Sequence, residues 1–205
     1  MSKNSMLISL LLIIFTLHGI AQDKILVKSG TYMKEDGKFY IQKKLPAYIY
    51  ISNSPDSNSV KHRLRSKTSE QYTNPMHFDA DGFNSLRTHW AVNQKTKKKE
   101  NPPQEIIFEV YADSKPPETY GLFDNKTIGY NEGKRIYPVG TALTLLEYDA
   151  VSGTSKIYYS INQNAFIEYK EKLVFNEAKI VNIQFYGIDH VGNTQEIHQL
   201  NFIIQ

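Results

Sequence analysis

Lys156-Ile157-Tyr158-Tyr159-Ser160-Ile161 is the stretch that decides the fold class. Successive side chains of an extended strand point to opposite faces. Ile157, Tyr159 and Ile161 therefore share one side, and Tyr158 and Ser160 the other. Branched and aromatic residues fit such a pleated, half-buried surface. Runs of the same kind recur at Lys38 to Ile41, Ala47 to Ile51, Ile106 to Tyr111, Ala142 to Leu146, Ile180 to Tyr186 and Gln199 to Ile204. Each is short and bounded by Gly, Pro, Asn, Asp or Ser. Past the N-terminus no stretch carries a convincing amphipathic helical period. Strands at about ten-residue spacing without helices predict an all-β chain built of antiparallel sandwiches.

The composition agrees with a folded chain. Of 205 residues, 12% are aromatic and 22% charged, which is not the balance of a disordered tail. There is no cysteine, so a disulfide framework, a thiolate metal site and a cysteine nucleophile are excluded. The formal net charge of +3 is too small to point to nucleic acid.

The N-terminus reads as an export signal. Lys3 precedes an almost unbroken apolar run from Met6 to Leu17, and Gly19-Ile20-Ala21 supplies the small residues a signal peptidase accepts. Cleavage is expected after Ala21. An apolar core of roughly 12 to 15 residues falls short of the roughly 20 that a spanning helix needs. Membrane contact is thus expected only through the signal before cleavage, and the mature chain is expected in the periplasm, at the cell surface or outside the cell.

A weak internal repeat runs through the rest. Gly37-Lys38 falls on Gly133-Lys134, about 96 positions on. Val60 to Leu64 falls on Ile157 to Ile161, Tyr72 on Tyr169, Met76 on Leu173 and Phe78 on Phe175. After a one-residue slip, Trp90-Ala91-Val92-Asn93 falls on Tyr186-Gly187-Ile188-Asp189. The period is the size of one small sandwich. Pro116-Pro117 forbids regular strand pairing and stiffens a link. The expected organisation is a signal over 1–21 and two sandwiches over 22–113 and 114–205.

Two segments carry a family pattern. Tyr72-Thr73-Asn74-Pro75 through Trp90-Ala91-Val92-Asn93 resembles the core of bacterial immunoglobulin-like modules, among them the chitobiase C-terminal-like domains and the leptospiral OmpL-type repeats. In the second copy Tyr148-Asp149-Ala150-Val151-Ser152-Gly153 resembles the turn before the next strand of such modules. Asp189-His190-Val191-Gly192-Asn193 is the most specific match. The first copy departs from the pattern, with Asn93 for the aspartate and Gln94-Lys95-Thr96-Lys97 for the Gly-Asn. What the resemblance implies is tandem immunoglobulin-like sandwiches serving as ligand-binding or spacing domains.

No motif of an enzyme stands out. The five histidines beyond the signal form no H-x-H or H-E-x-x-H pair, and there is no G-x-S-x-G elbow or phosphate-binding loop. Asp149 and Asp189 sit at turns and are read as turn-stabilising, with calcium as the rarer use. Asp79 and Asp81 make only a fragment of a calcium loop. Lys61, Arg63, Arg65 and Lys67 alternate along a strand, and Lys95 and Lys97 to Lys99 cluster before Pro102-Pro103; both groups are read as solvated. Gly192 and Asn193 are read as left-handed turn residues.

The reading is an exported, non-catalytic binding, adhesion or spacer protein of the cell envelope, with no metal or other cofactor. Its expected partner is a polysaccharide or another envelope protein. The candidate contact residues are Trp90, Tyr186 and Tyr158, since an outward flat aromatic is a surface on which sugar rings stack. An outer-membrane β-barrel and a small secreted enzyme with an unmarked site stand as alternatives.

Overall fold

The structure is a computed structural model that describes residues 11–16, 30–52, 58, 61–64, 78, 80–87, 91–93, 95–100 and 107–205. These residues are all-β, with no helix among them. None of their elements is a helix long and apolar enough to cross a membrane. The chain divides into two compact units, Met1–Ser114 and Lys115–Gln205.

Among its described residues unit 1 holds nine strands. They are β1 (Leu11–Thr16), β2 (Thr31–Met33), β3 (Phe39–Gln42), β4 (Ala47–Ser52), β5 (Lys61–Leu64), β6 (Gly82–Arg87), β7 (Ala91–Asn93), β8 (Lys99–Glu100) and β9 (Ile107–Asp113). One sheet has the order β1-β4-β5-β7-β8 and the other β2-β3-β9-β6. β1 lies within the stretch read as an export signal and pairs parallel to β4. In the four-stranded sheet Ile41, Val110 and Ala112 are fully buried on one face. On the other face Tyr32, Tyr40, Tyr111 and Phe83 stand in register across all four strands. Their ring centroids are 5.8, 5.1 and 5.7 Å apart. Such cross-strand aromatic pairs hold a sheet together. The Asp81 carboxylate accepts from the Ser114 N–H and hydroxyl at 2.8 and 2.9 Å, tying the entry of β6 to the exit of β9.

Unit 2 holds β10 (Glu118–Phe123), β11 (Gly129–Asn131), β12 (Lys134–Tyr137), β13 (Thr141–Tyr148), β14 (Thr154–Ile161), β15 (Ile167–Glu168), β16 (Leu173–Phe175), β17 (Lys179–Asp189) and β18 (His198–Ile204). A three-stranded sheet β10-β13-β16 stacks on a six-stranded sheet β11-β12-β18-β17-β14-β15. Both sheets feed one apolar core of Tyr137, Leu143, Leu145, Ile157, Phe175, Val181, Ile183, Phe185, Phe202 and Ile204. Phe202 meets Phe123, Tyr137 and Phe175 edge-on at 4.9, 6.0 and 5.2 Å. The interior is apolar and both sheets run from edge to edge, the reverse of a membrane barrel with its polar lumen and closed wall.

Alternation explains the layering. Ile157, Tyr159 and Ile161 of β14 pack on the core, as do Val181, Ile183 and Phe185 of β17. Gly187 interrupts β17 because β10 begins directly above it. A Cβ there would lie 2.8 Å from Thr119 Cγ2 and 2.9 Å from Pro117 Cγ. The Tyr169 hydroxyl accepts from the Leu145 N–H at 3.1 Å, pinning the β15–β16 connection to β13.

The two units share a motif. In each, a hairpin with glycine at positive φ (Gly37 in one, Gly133 in the other) leads into a strand that runs parallel to the last strand of its unit. That last strand pairs antiparallel on its other side with β6 or with β17. The sequence match of Gly37-Lys38 with Gly133-Lys134 marks this shared hairpin.

Candidate functional site

The outer face of the six-stranded sheet is built by the positions of β14, β17 and β18 that point away from the core. On β17 these are Ile180, Asn182, Gln184, Tyr186 and Ile188, alternating with the buried Val181, Ile183 and Phe185. Register fixes their neighbours. Tyr186 lies opposite Tyr158 of β14, Gln184 opposite Gln199 of β18, Asn182 opposite Asn201 and Ile180 opposite Ile203. The face therefore grades from an aromatic end, through two rows of amides, to an isoleucine end where Ile203 also neighbours Ile136 of β12.

At the aromatic end the Tyr158 and Tyr186 rings stack with centroids 5.5 Å apart and planes 22° from parallel. Phe166 sets its edge on Tyr186 at 5.2 Å and 66°. The turn after β14 places it there: Asn162 and Gln163 adopt φ of 51° and 63°. The Asn162 side-chain oxygen accepts from the Asn182 N–H at 2.9 Å, and the Asn162 N–H donates to the Asn182 carbonyl at 2.8 Å. The Ser160 hydroxyl closes the same turn on the Asn164 carbonyl at 2.6 Å. Tyr158 and Tyr186 are half-buried against each other, leaving part of each ring to solvent.

The charged groups beside them pair off. Lys156 pairs with Glu168 at 3.1 Å beside Tyr158, and the carboxylate keeps the ammonium charged to above its ordinary range. In the amide rows Asn182 donates to the Asn201 side-chain oxygen at 2.6 Å. Gln199 reaches the same oxygen at 3.4 Å. Chemically the face offers flat aromatic edges and faces plus amide donors and acceptors, fixed by register on three neighbouring strands.

Tyr158 and Tyr186 are thus brought together as a contact pair. Trp90 lies outside the described residues, as do Arg65, Lys67 and Asp79. The alternation of β17 alone suffices to place Gln184 and Asn182 on the face with Tyr186, although the sequence reading did not single them out. Phe166 carries no such signal, because its place depends on the left-handed turn before it.

The turn carboxylates bind backbone. The Asp149 carboxylate accepts from the N–H groups of Val151 and Gly153 at 2.9 and 2.7 Å. Asp189 is buried; one of its oxygens accepts from Val191 and Asn193 N–H at 3.0 and 2.8 Å, and the other from the Asn193 amide at 2.7 Å. Gly192 takes the left-handed conformation with φ of 92°. Asn193 does not, contrary to the sequence reading; its place in the motif comes from its two bonds to Asp189. Lys95, Lys97 and Lys98 lie on the exposed hairpin between β7 and β8.

No family model matches the chain, and no curated protein matches it significantly. Among solved structures, one match is a crystal structure of the extracellular domain of a B. thetaiotaomicron protein described as a one-component system. It aligns over 85% of this chain with 10% identity and a TM-score of 0.32, and this chain spans 29% of that one. A likeness of that size carries no argument about fold or role.

Proposed function

We propose that the protein is an exported, non-catalytic binding module that holds a polysaccharide on the outer face of its six-stranded sheet. The observation that supports this reading is the Tyr158–Tyr186–Phe166 cluster beside the in-register amide rows Gln184/Gln199 and Asn182/Asn201. Sugar rings present C–H faces that stack on aromatics and hydroxyls that pair with amides. The site is preformed, since backbone register and the Asn162 turn fix its parts, so little ordering is lost on binding. Because Lys156 and Glu168 neutralise each other, the ligand class is a neutral glycan.

The test is binding of the purified protein to arrayed bacterial, plant and host polysaccharides and to matrix proteins. A neutral glycan bound by the wild type, with affinity lost in Tyr186→Ala and weakened in Gln184→Ala while both stay folded, is the expected result. A folded protein that binds no glycan, or one whose glycan binding ignores Tyr158 and Tyr186, refutes the reading.

A further inference from the structure

The isoleucine end of the outer face is a second contact point, away from the aromatic cluster. Ile180 of β17, Ile203 of β18 and Ile136 of β12 stand in register on three neighbouring strands. Strands lie about 4.8 Å apart, so these side chains form an aliphatic platform roughly 10 Å across. Ile180 is 61% exposed, and Gly129, opposite Ile136 on β11, adds no side chain. From Tyr186 to Ile180 along β17 is about 20 Å. Scattered exposed apolar side chains need no explanation, but three in register make a patch. It falls far short of the ~800 Å² that a protein partner covers. It holds no aromatic ring on which a sugar stacks. What it fits is a small aliphatic group.

The row beside it is polar, and its orientation is fixed. Asn201 Oδ1 accepts from Asn182 Nδ2 at 2.6 Å and from Gln199 Nε2 at 3.4 Å. Two donors on that atom leave the amide group of Asn201 on its other side, and among the described residues no acceptor takes its protons. Asn182 Oδ1 is buried and closed to a ligand. The β17 and β18 positions of this row thus offer a donor and no open acceptor. The charged groups at this end are Lys134, on the same side of β12 as Ile136, and Glu132 on the turn beyond it. Arg135 and Lys179, at alternate positions, belong to the inner side with Phe202 and Ile204.

We infer, building on the glycan reading of this face, that its isoleucine end recognises O-acetyl esters on the bound polysaccharide. The ester methyl rests on Ile180, Ile203 and Ile136, and the ester carbonyl accepts from the Asn201 amide. Asn201 and Ile203 are two residues apart on β18, about 7 Å, within reach of one ester group held between their side chains. An ester accepts and donates nothing, which matches this row. An N-acetyl group brings an N–H for which the row keeps no open acceptor, and an unpaired polar group is what a site rejects. The ester is also uncharged, so the ligand remains a neutral glycan, with bare rings at the Tyr158–Tyr186 end and acetyl groups at the other.

The experiment is calorimetric titration of the purified protein, expressed from the full-length sequence. The probes are oligosaccharides of acetylated glucomannan and of acetylated xylan, each before and after mild alkali removes the esters. The wild type should bind the acetylated form about tenfold tighter, the low end of what one apolar group contributes in a site. Ile180→Ser should bring that ratio toward one, and Ile180→Val should keep it. Asn201→Asp retains an oxygen for Asn182 and Gln199 but loses the donors, and should also bring the ratio toward one. The ratio reads recognition of the ester, since a general loss of fold or affinity lowers both forms together. A protein that binds neutral glycans but holds both forms alike overturns the inference and leaves the glycan reading standing. So does a preference that Ile180→Ser and Asn201→Asp both retain, or one set by the uronate content of the xylan, as Lys134 alone would give. A protein that binds no glycan in any form overturns both.

Discussion

Replacing Asp189 by alanine should cost unit 2 a large part of its stability. Asp189 is 2% exposed, and its carboxylate takes hydrogen bonds from Val191 N–H, Asn193 N–H and the Asn193 amide. Val191 and Asn193 are themselves buried, so the freed donors do not all reach water. A hydrogen bond to a charged group contributes about 1.5–3 kcal/mol, and a buried donor left without a partner costs about 1–3. The three bonds share one turn and do not add independently. An overall loss of about 3–4 kcal/mol follows, against a typical domain stability of 5–15 kcal/mol. In a domain of this size each kcal/mol moves the midpoint by about 4–8 °C, so the melting temperature should fall by more than about 10 °C. Asp189→Asn keeps an oxygen for both backbone donors and turns an amide toward Asn193, so it should cost only about 1–2 kcal/mol. Urea and thermal denaturation followed by circular dichroism measure both. An alanine variant within about 0.5 kcal/mol of wild type, the range of a featureless surface change, would refute the assignment of this carboxylate as the clasp of the turn. So would an asparagine variant worse than alanine.

Three further outcomes are expected. Gly187→Ala forces a methyl against Thr119 and Pro117 and should destabilise by about 1–3 kcal/mol in denaturant titration, with overpacking as the cause. Burial raises the pKa of Glu147 above 4.5, with nearby His190 opposing it. The folded state therefore favours the protonated acid, and this contribution is complete below the ordinary carboxylate range and lost as pH rises through the raised value. Glu147→Gln should accordingly melt higher than wild type at pH 7 and lose that advantage in acid, which thermal scans at two pH values read directly. A double-mutant cycle on Tyr158 and Tyr186 should return a coupling of about 0.5–1.5 kcal/mol in stability, the worth of a stacked pair.

The strands with a strong pattern were legible in advance, and the weakly patterned ones were not. β14 and β17 declare themselves because one face is core and the other is not, so the period of two stands out. β10 does not, because Gly121 sits in its middle and Tyr120 and Leu122 on one face are matched by Phe123 on the other, a pattern that names no face. β11 and β12 are short and polar, and only their place in a hairpin that joins the last strand makes them strands. The Tyr158–Tyr186 pair was legible as two outward aromatics, but their stacking depends on the register of two strands far apart in sequence, which local pattern does not fix. The aromatic row of Tyr32, Tyr40, Tyr111 and Phe83 has the same origin: four residues from four strands, related only by pairing.

β18 follows every other strand of unit 2 in chain order, yet it lies inside the six-stranded sheet, between β12 and β17. The two halves of that sheet have no other link within it. As the chain is made from the N-terminus onward, the inner edges of β12 and β17 must wait, unpaired, for a strand that emerges after both. Such non-local closure is slow, and for its duration two open edges offer themselves to any passing extended segment. The interval between the arrival of β17 and that of β18 is thus the stage at which this sheet is most open to mispairing.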